Sequence, residues 1–339
     1  MLVFLVSSML ANTPTRKGTR LSKFVPGKRA TLLNSTLKFV HVFTVIACCI
    51  DALPAAAQEA APDQAAELAK KLQNPVASLI SFPLQSNFDF RIGPSDEGWR
   101  YTLNIQPVIP ISIGSDWNLI VRTIIPYIHQ EDVFKGPPTT VEEDIDGIPV
   151  DVTPGPHPGH VQDGLGDIVQ SFFLSPKEPV GGWILAAGPV FLYPSATDPL
   201  LGSEKWGAGP TGLILKQTGG WTYGILANQI WSFAGDVERR SVNATFLQPF
   251  ISYTTKSKTT FALNTESTYN WNDSQWTVPV NLSVSQLLRI GKLPVSLAVG
   301  ARYYAEGPSG GSDWGLRFVI TPLFPTGEKP VARQTSSAK

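Results

Sequence analysis

The chain has 339 residues, among them 29 Gly, 29 Pro, 9 Trp, 8 Tyr and 17 Phe, and only 16% are charged. This composition favours strands and turns and argues against an α/β enzyme, and the length suits a single all-β barrel domain. The formal net charge of 0 excludes a strongly basic protein that binds nucleic acid.

The first predicted element is a signal peptide over residues 1–57. Seven basic residues precede or border an apolar run at 39–50, and residues 55–57 are alanines, as is typical of a cleavage site. The run is too short for a helix that spans a bilayer, which needs roughly 20 residues. Cleavage near Ala57 would leave 20 basic and 26 acidic residues, a formal charge of −6, and no cysteine.

Two alternatives concern this leader. The residues before Cys48 resemble a lipobox, so lipoprotein processing would instead make Cys48 the lipidated N-terminus. The leader is also unusually long, and the simplest explanation is a start codon placed too far upstream. Both alternatives stay open at the level of sequence.

The segment that follows, residues 58–79, is predicted to be periplasmic and either helical or loose. Its first part, up to Gln73, is rich in alanine and permits a helix. From residue 80 to residue 325 the pattern changes to stretches of about 10 to 14 residues that alternate between apolar and polar positions and end in turn residues, as membrane barrel strands do.

The alternation is clear in five stretches, at 99–113, 117–127, 261–270, 293–303 and 314–321. In the first, odd positions are mainly apolar while even positions include Arg100 and Asn104. It is weaker in three others, 165–175, 206–217 and 241–254, where both faces are partly apolar. A soluble sandwich also alternates, but the segment lengths and the aromatic residues at the segment ends favour a barrel that crosses a membrane.

Counting these stretches predicts a transmembrane antiparallel up-and-down β-barrel of about twelve strands, an even number as expected. With the N-terminus in the periplasm, the tight turns fall on the periplasmic side, and all but one of the loops on the other side are longer. Prolines within several strands conflict with this assignment unless they mark bulges or strand ends. The predicted strands are 82–92, 99–113, 116–129, 165–175, 182–193, 206–217, 220–233, 241–255, 258–270, 275–288, 293–305 and 313–324.

Several motifs resemble one family of bacterial outer-membrane proteins. They are the stretch 74–90, the segments 104–108 and 164–168, and the ending 316–325. The family is the one named for the meta-pathway of phenol degradation, whose members are often labelled transporters. The resemblance covers roughly residues 74–325 and implies a fold and an outer-membrane location more firmly than a substrate. The residues after Phe324 depart from the pattern and are predicted to form a disordered tail over 326–339.

Alternation also assigns charged residues to the barrel interior. Five are arginines and two are acids, and rings of arginine favour anions in pores. An open lumen could therefore attract carboxylates or phosphates, whereas pairing between these charges could instead fill a narrow, closed interior. The predicted lumen-facing residues are Asp89, Arg91, Arg100, Arg122, Glu266, Arg302 and Arg317.

No cofactor, catalytic residue or metal site is predicted. The acidic stretch 130–164, with His157 and His160, is better explained as a solvated outer loop than as a metal site, because the spacing matches no common zinc pattern. The segment 164–167 lacks the rest of a phosphate-binding loop, and no serine elbow accompanies the histidines.

The sequence therefore predicts a non-enzymatic transporter or channel for small molecules, porin-like, in the outer membrane of a Gram-negative bacterium. Its predicted partners are outer-membrane lipid, the outer-membrane assembly machinery and small apolar or anionic solutes. One alternative is a structural or surface-interaction barrel with a plugged lumen. A remote alternative is an outer-membrane lipid hydrolase.

Overall fold

A computed structural model describes residues 62–94, 96–134, 142–145, 148–151 and 161–324. It contains a closed antiparallel barrel of twelve strands and one short helix, so the predicted fold class is confirmed. The predicted signal peptide, Asp146 of the acidic stretch, His157, His160 and the predicted tail lie outside the described residues.

The helix, α1, spans Pro62–Lys71. Strands β1 to β9 lie within residues 80–176, and β10 to β18 lie within residues 184–324. Their bounds are β1 Ile80–Ser81, β2 Leu84–Ile92, β3 Gly98–Ile105, β4 Val108–Ile113, β5 Trp117–Glu131, β6 Glu142–Ile145, β7 Ile148–Asp151, β8 Val161–Leu165, β9 Ile168–Pro176, β10 Ile184–Tyr193, β11 Lys205–Thr218, β12 Trp221–Gly235, β13 Asn243–Thr254, β14 Thr259–Thr265, β15 Ser267–Asn270, β16 Gln275–Ile290, β17 Leu293–Glu306 and β18 Trp314–Phe324.

Four barrel strands are interrupted and consist of two segments each, namely β1 with β2, β3 with β4, β8 with β9, and β14 with β15. Each barrel strand pairs with the next in the chain. The last strand, β18, pairs with β2 and β1, which closes the barrel. The remaining two strands, β6 and β7, form a separate hairpin between β5 and β8.

The alternation in sequence becomes an alternation in burial. Along β18, Phe318 and Ile320 are exposed outward, while Arg317 and Thr321 are buried inside. Aromatic rings lie outside near both ends of the strands. At one end, Trp221 and Tyr253 are in contact, with ring centroids 4.9 Å apart. Tryptophan and tyrosine are the residues enriched at membrane interfaces. Similar contacts occur at the other end, between Phe90 and Trp314, Tyr269 and Trp276, and Tyr193 and Trp206.

The connections divide by length between the two ends of the barrel. One end, the short-loop end, has the connections 114–116, 177–183, 219–220, 255–258 and 291–292, together with Ile80 and Phe324. The other, the long-loop end, has 93–97, 132–160, 194–204, 236–242, 271–274 and 307–313. Which end faces the periplasm stays a prediction.

The prolines have three structural outcomes. Pro107 lies in the break between β3 and β4, Pro279 lies at a register shift, and Pro294 is near the start of β17. These three prolines therefore mark strand ends or bulges, as the sequence analysis allowed. Pro189 and Pro210 instead lie directly opposite each other inside the ladder.

Neighbouring glycines accommodate that proline pair. A Cβ added at Gly188 would collide with the carbonyl oxygen of Phe172, and one at Gly209 would collide with that of Gln229. The missing N–H donors are therefore accompanied by close approach of the adjacent backbones, which only glycine allows. Pro126 and Pro249 are each paired with a neighbouring strand on one side only. On the other side, Pro126 lies opposite the break between β8 and β9, and Pro249 lies opposite the break between β14 and β15.

The helix packs against the inner face of the barrel at the short-loop end. Its Ala69, together with Ala77 and Leu79, forms a cluster with Leu287 and Leu323 of the barrel. The side-chain amide of Gln217 donates a hydrogen bond of 2.8 Å to the carbonyl of Lys70. In the part of the chain that the structure describes, no helix is long and apolar enough to cross a membrane.

Candidate functional site: the barrel interior

The interior has two chemically different sides. The first is a charged wall formed by Asp89 and Arg100 on β2 and β3, Arg122 on β5, Glu266 between β14 and β15, and Arg302 and Arg317 on β17 and β18. Register places these side chains on one face because Asp89 lies opposite Arg100 and Gly315, and Arg317 lies opposite Asn87 and Gly300.

Glu266 is the centre of the charged wall. Both of its carboxylate oxygens accept hydrogen bonds from Arg317, at 2.8 and 2.7 Å, in a bidentate pair. Arg302 lies 3.8 Å from the same carboxylate and 3.2 Å from Asp89. Arg317 also donates a bond of 2.7 Å to Asn87. The guanidinium of Arg302 lies 5.4 Å from the ring centroid of Tyr304, which adds a cation–π contact.

The other two arginines of the charged wall donate hydrogen bonds only to neutral side chains, and Asp89 and Glu266 attract them without direct contact. Arg100 donates a bond of 2.7 Å to Gln130, whose amide donates in turn to Gln162 at 3.0 Å. Arg122 donates a bond of 3.0 Å to Gln106. Among the described residues, neither arginine has a carboxylate within 4.0 Å. Four arginines therefore face two carboxylates, which gives the charged wall a positive excess.

The opposite side of the interior is an apolar wall on β5 and β9 to β12. Its largest members, Ile120, Phe173, Leu215 and Leu226, are at most 1% exposed. Phe246 and Phe250 of β13 pack against it, and Val76 reaches it from the segment after α1. The wall consists of Ile120, Phe173, Ala186, Leu213, Leu215 and Leu226.

The two ends of the interior differ. The segment from α1 to Leu79 occupies the short-loop end, where Ser78 accepts a bond of 2.9 Å from Asn118. The long-loop end contains a cavity of about 550 Å³ whose lining includes Arg239, Arg240 and Asn270. There Arg239 is held by Glu204 at 3.2 Å.

Six of the seven predicted lumen-facing residues lie on the charged wall. Arg91 is the exception and corrects the prediction, because its side chain is 45% exposed and forms ion pairs of 3.2 Å with Asp96 and Asp313 at the long-loop end. The physical reason is a register shift between Phe90 and Ile92, with a φ of 63° at Arg91, which turns this side chain out of the alternation.

The sequence interpretation missed several interior residues. Gln130 continues the even positions of β5, with Asn118 and Arg122, but it follows the last residue of the predicted strand 116–129 and was interpreted as loop. Tyr304 shares parity with Arg302 in β17. Gln162 lies on the short strand β8, inside a stretch that was interpreted as loop, and it had no comparable signal.

The motif at 164–167 anchors a loop. The carboxylate of Asp167 accepts bonds of 2.6 Å from both the backbone N–H and the hydroxyl of Ser203, and one of 3.3 Å from the N–H of Ala196. These bonds hold the connection between β10 and β11 against the break between β8 and β9.

The only histidine in the described ranges, His129, lies on the outward face and contacts Asp163 at 2.8 Å and Glu131 at 3.3 Å. Within the same ranges no group of three or more His, Cys, Asp or Glu is arranged to hold a metal ion. The prediction of a non-enzymatic protein remains untested.

Comparison with known proteins supports the fold. The chain matches no known protein family by sequence, and no curated protein matches it. An outer membrane channel from Pseudomonas putida F1 is similar in structure, with a TM-score of 0.53 and 13% identity over 73% of this chain and 96% of that one. A NanC porin is similar over 72% of this chain and 100% of that one, with 10% identity and a TM-score of 0.41. The resemblance to the phenol meta-pathway family stays a prediction.

Proposed function

We propose that this chain is a transmembrane barrel of a bacterial outer membrane that passes small molecules. The exposed apolar band between two belts of aromatic rings supports the membrane location, and the structural likeness to an outer membrane channel agrees with it. The predicted signal peptide fits the same location.

We further propose that the preferred solutes combine an apolar body with an anionic group. The observation that carries this proposal is the two-sided interior, in which the apolar wall faces a charged wall with four arginines and two carboxylates. The apolar body of such a solute would be removed from water by contact with Phe173 and Leu226, which is favourable. Its carboxylate or phosphate would accept hydrogen bonds from the arginines on the other side.

The test is single-channel conductance of the protein purified from membranes, with reversal potentials measured in a salt gradient. We expect anion-preferring steps whose preference falls in the double variant Arg100→Gln/Arg122→Gln, since these two arginines have no carboxylate partner. The matched control is Arg91→Gln, which removes a positive charge that is paired with Asp96 and Asp313 at the long-loop end. Equal selectivity in all three proteins would contradict the proposal.

A second candidate function rests on the segment from α1 to Leu79. Because this segment packs inside the short-loop end, the chain could instead be a structural or surface-interaction barrel with a permanently plugged lumen. Verified folded protein that shows no conductance would favour this candidate. No observation favours the lipid hydrolase alternative.

A further inference from the structure

A small, partly open space lies between the barrel wall and the segment from Lys71 to Leu79, which comprises the end of α1 and the residues after it. Its volume is about 120 Å³. A water molecule occupies roughly 30 Å³ of the liquid, so the space is large enough for a few waters or for one small ion. Its polar lining comes from both sides, with Lys71 and Asn74 on the segment and Ser81, Gln106 and Arg122 on the barrel.

The charges around this space have one sign. Its lining includes Arg122 and Lys71 but no aspartate or glutamate. Glu266 is the carboxylate that attracts Arg122, but it is in contact with two other arginines, Arg317 at 2.7 Å and Arg302 at 3.8 Å. No carboxylate among the described residues therefore neutralises Arg122 by direct contact.

The hydrogen-bond donors around the space are also underused. Arg122 donates one bond, to Gln106, and its other N–H groups have no acceptor among the described residues. Gln106 is only 8% exposed, and its side-chain oxygen accepts that bond, which leaves its Nε2 without a partner in the described part of the chain. The oxygen of Asn74 accepts from the N–H of Val76, so the amide nitrogen of Asn74 is another donor.

We infer that this cavity binds a small oxyanion, a free carboxylate or phosphate, which holds the N-terminal segment against the barrel wall. The planar guanidinium of Arg122 suits such anions, because two of its N–H groups can bond two oxygens at once. Glu266 attracts Arg122 without touching it, so no carboxylate replaces the water that Arg122 loses. A bound anion in direct contact would offset that cost. The inference goes beyond the proposed transport, because it concerns how the segment is retained.

Trypsin provides a test, because the segment contains Lys70 and Lys71. The carbonyl of Lys70 is bonded to Gln217 while the segment is docked, so cleavage there requires local opening. If opening is fast relative to cleavage, a ligand slows cleavage by the factor 1 + [L]/Kd, about tenfold at ten times Kd. The cut is identified by mass spectrometry of the protein in a neutral detergent.

We expect acetate or phosphate to slow this cut relative to gluconate, a bulky anion used to keep ionic strength constant. The variant Arg122→Gln should lose the effect. The matched control Arg100→Gln should keep it, because Arg100 also faces the interior without a carboxylate but does not line the cavity. If Arg122→Gln does not fold, Arg122→Lys replaces it, and we expect weaker protection because a lysine lacks the guanidinium fork.

Benzoate, used as a third probe, distinguishes two sources of the anion. Protection by benzoate as well as acetate would assign the cavity to the anionic end of a permeating solute, and protection by acetate or phosphate alone would assign it to a free ion. The inference is wrong if the cleavage rate of the unmodified protein does not depend on these anions, if gluconate protects equally, or if Arg122→Gln retains the full effect.

Discussion

The four interior arginines fall into two pairs with different surroundings. Arg302 and Arg317 share Glu266 and Asp89, whereas Arg100 and Arg122 bond only to glutamines. A buried ion pair adds little net stability, but the loss of one partner leaves a buried charge uncompensated. Glu266 is therefore the residue of this network whose loss is the most costly.

Replacing Glu266 by glutamine tests this asymmetry. We expect Glu266→Gln to lower the free energy of unfolding by about 3–5 kcal/mol, because two enclosed arginines lose a shared carboxylate. Asp96→Asn, which breaks the exposed pair with Arg91, should cost about 0–1 kcal/mol. Urea unfolding in detergent micelles, followed by tryptophan fluorescence, measures both. Similar costs for the two variants would show that the interior is well hydrated.

Individual interior residues could be assigned from the sequence only while the alternation was unbroken. The period of two assigns Arg302 and Arg317 to one face because β17 and β18 contain no inserted residue around them. Arg91 was assigned incorrectly because a bulge reverses the side on which a side chain lies, and nothing in the local sequence indicates that bulge.

At the scale of elements, the glycine and proline residues of β10 and β11 shape the ladder. Pro189 and Pro210 face each other, and Gly188 and Gly209 beside them allow the neighbouring carbonyls to approach closely. The prolines taken alone argued against strands here. The sequence contained the explanation as two Gly-Pro pairs, but their mutual register could not be predicted without the fold.

A methyl group at Gly188 should therefore disturb the sheet. We expect Gly188→Ala to destabilise the barrel by about 1–3 kcal/mol, because the added Cβ would overlap a backbone oxygen that cannot rotate away. Gly212→Ala in β11 is the control, since its nearest neighbour would be a carbonyl oxygen at 3.8 Å. The urea midpoint and heat-dependent gel mobility report folding, and equal behaviour of the two variants would refute the packing argument.

For the whole molecule, the sequence predicts the closed barrel and its strand number, but it could not predict the composition of its interior. The three stretches with weak alternation, 165–175, 206–217 and 241–254, are the ones that contribute Phe173, Leu213, Leu215, Phe246 and Phe250 to the inside. Apolar residues on both faces weaken the period of two, so the same feature that builds the apolar wall obscured it in the sequence. Nor does the helix-permissive composition of 58–73 show that the helix packs inside the barrel.

The docked segment should limit flow through the whole molecule. Deleting residues 62–79 is expected to raise single-channel conductance at least about twofold, because a helix with its side chains is roughly 10–12 Å across. Gln217→Leu, which removes only the hydrogen bond to Lys70, should give intermittent steps of the same larger size. Unchanged conductance in folded deletion protein would mean that the constriction lies elsewhere in the barrel.

The pairing of β18 with β2 also constrains the order of assembly. Arg317 and Asn87 are 230 residues apart in sequence, and Arg302 and Asp89 are 213 apart, yet both pairs form across or beside the strands that close the barrel. These bonds cannot exist while the sheet is still open. Until the first and last strands meet, Asp89 and Asn87 lack these arginine partners, and the polar network that fixes the interior is completed in the closing step itself.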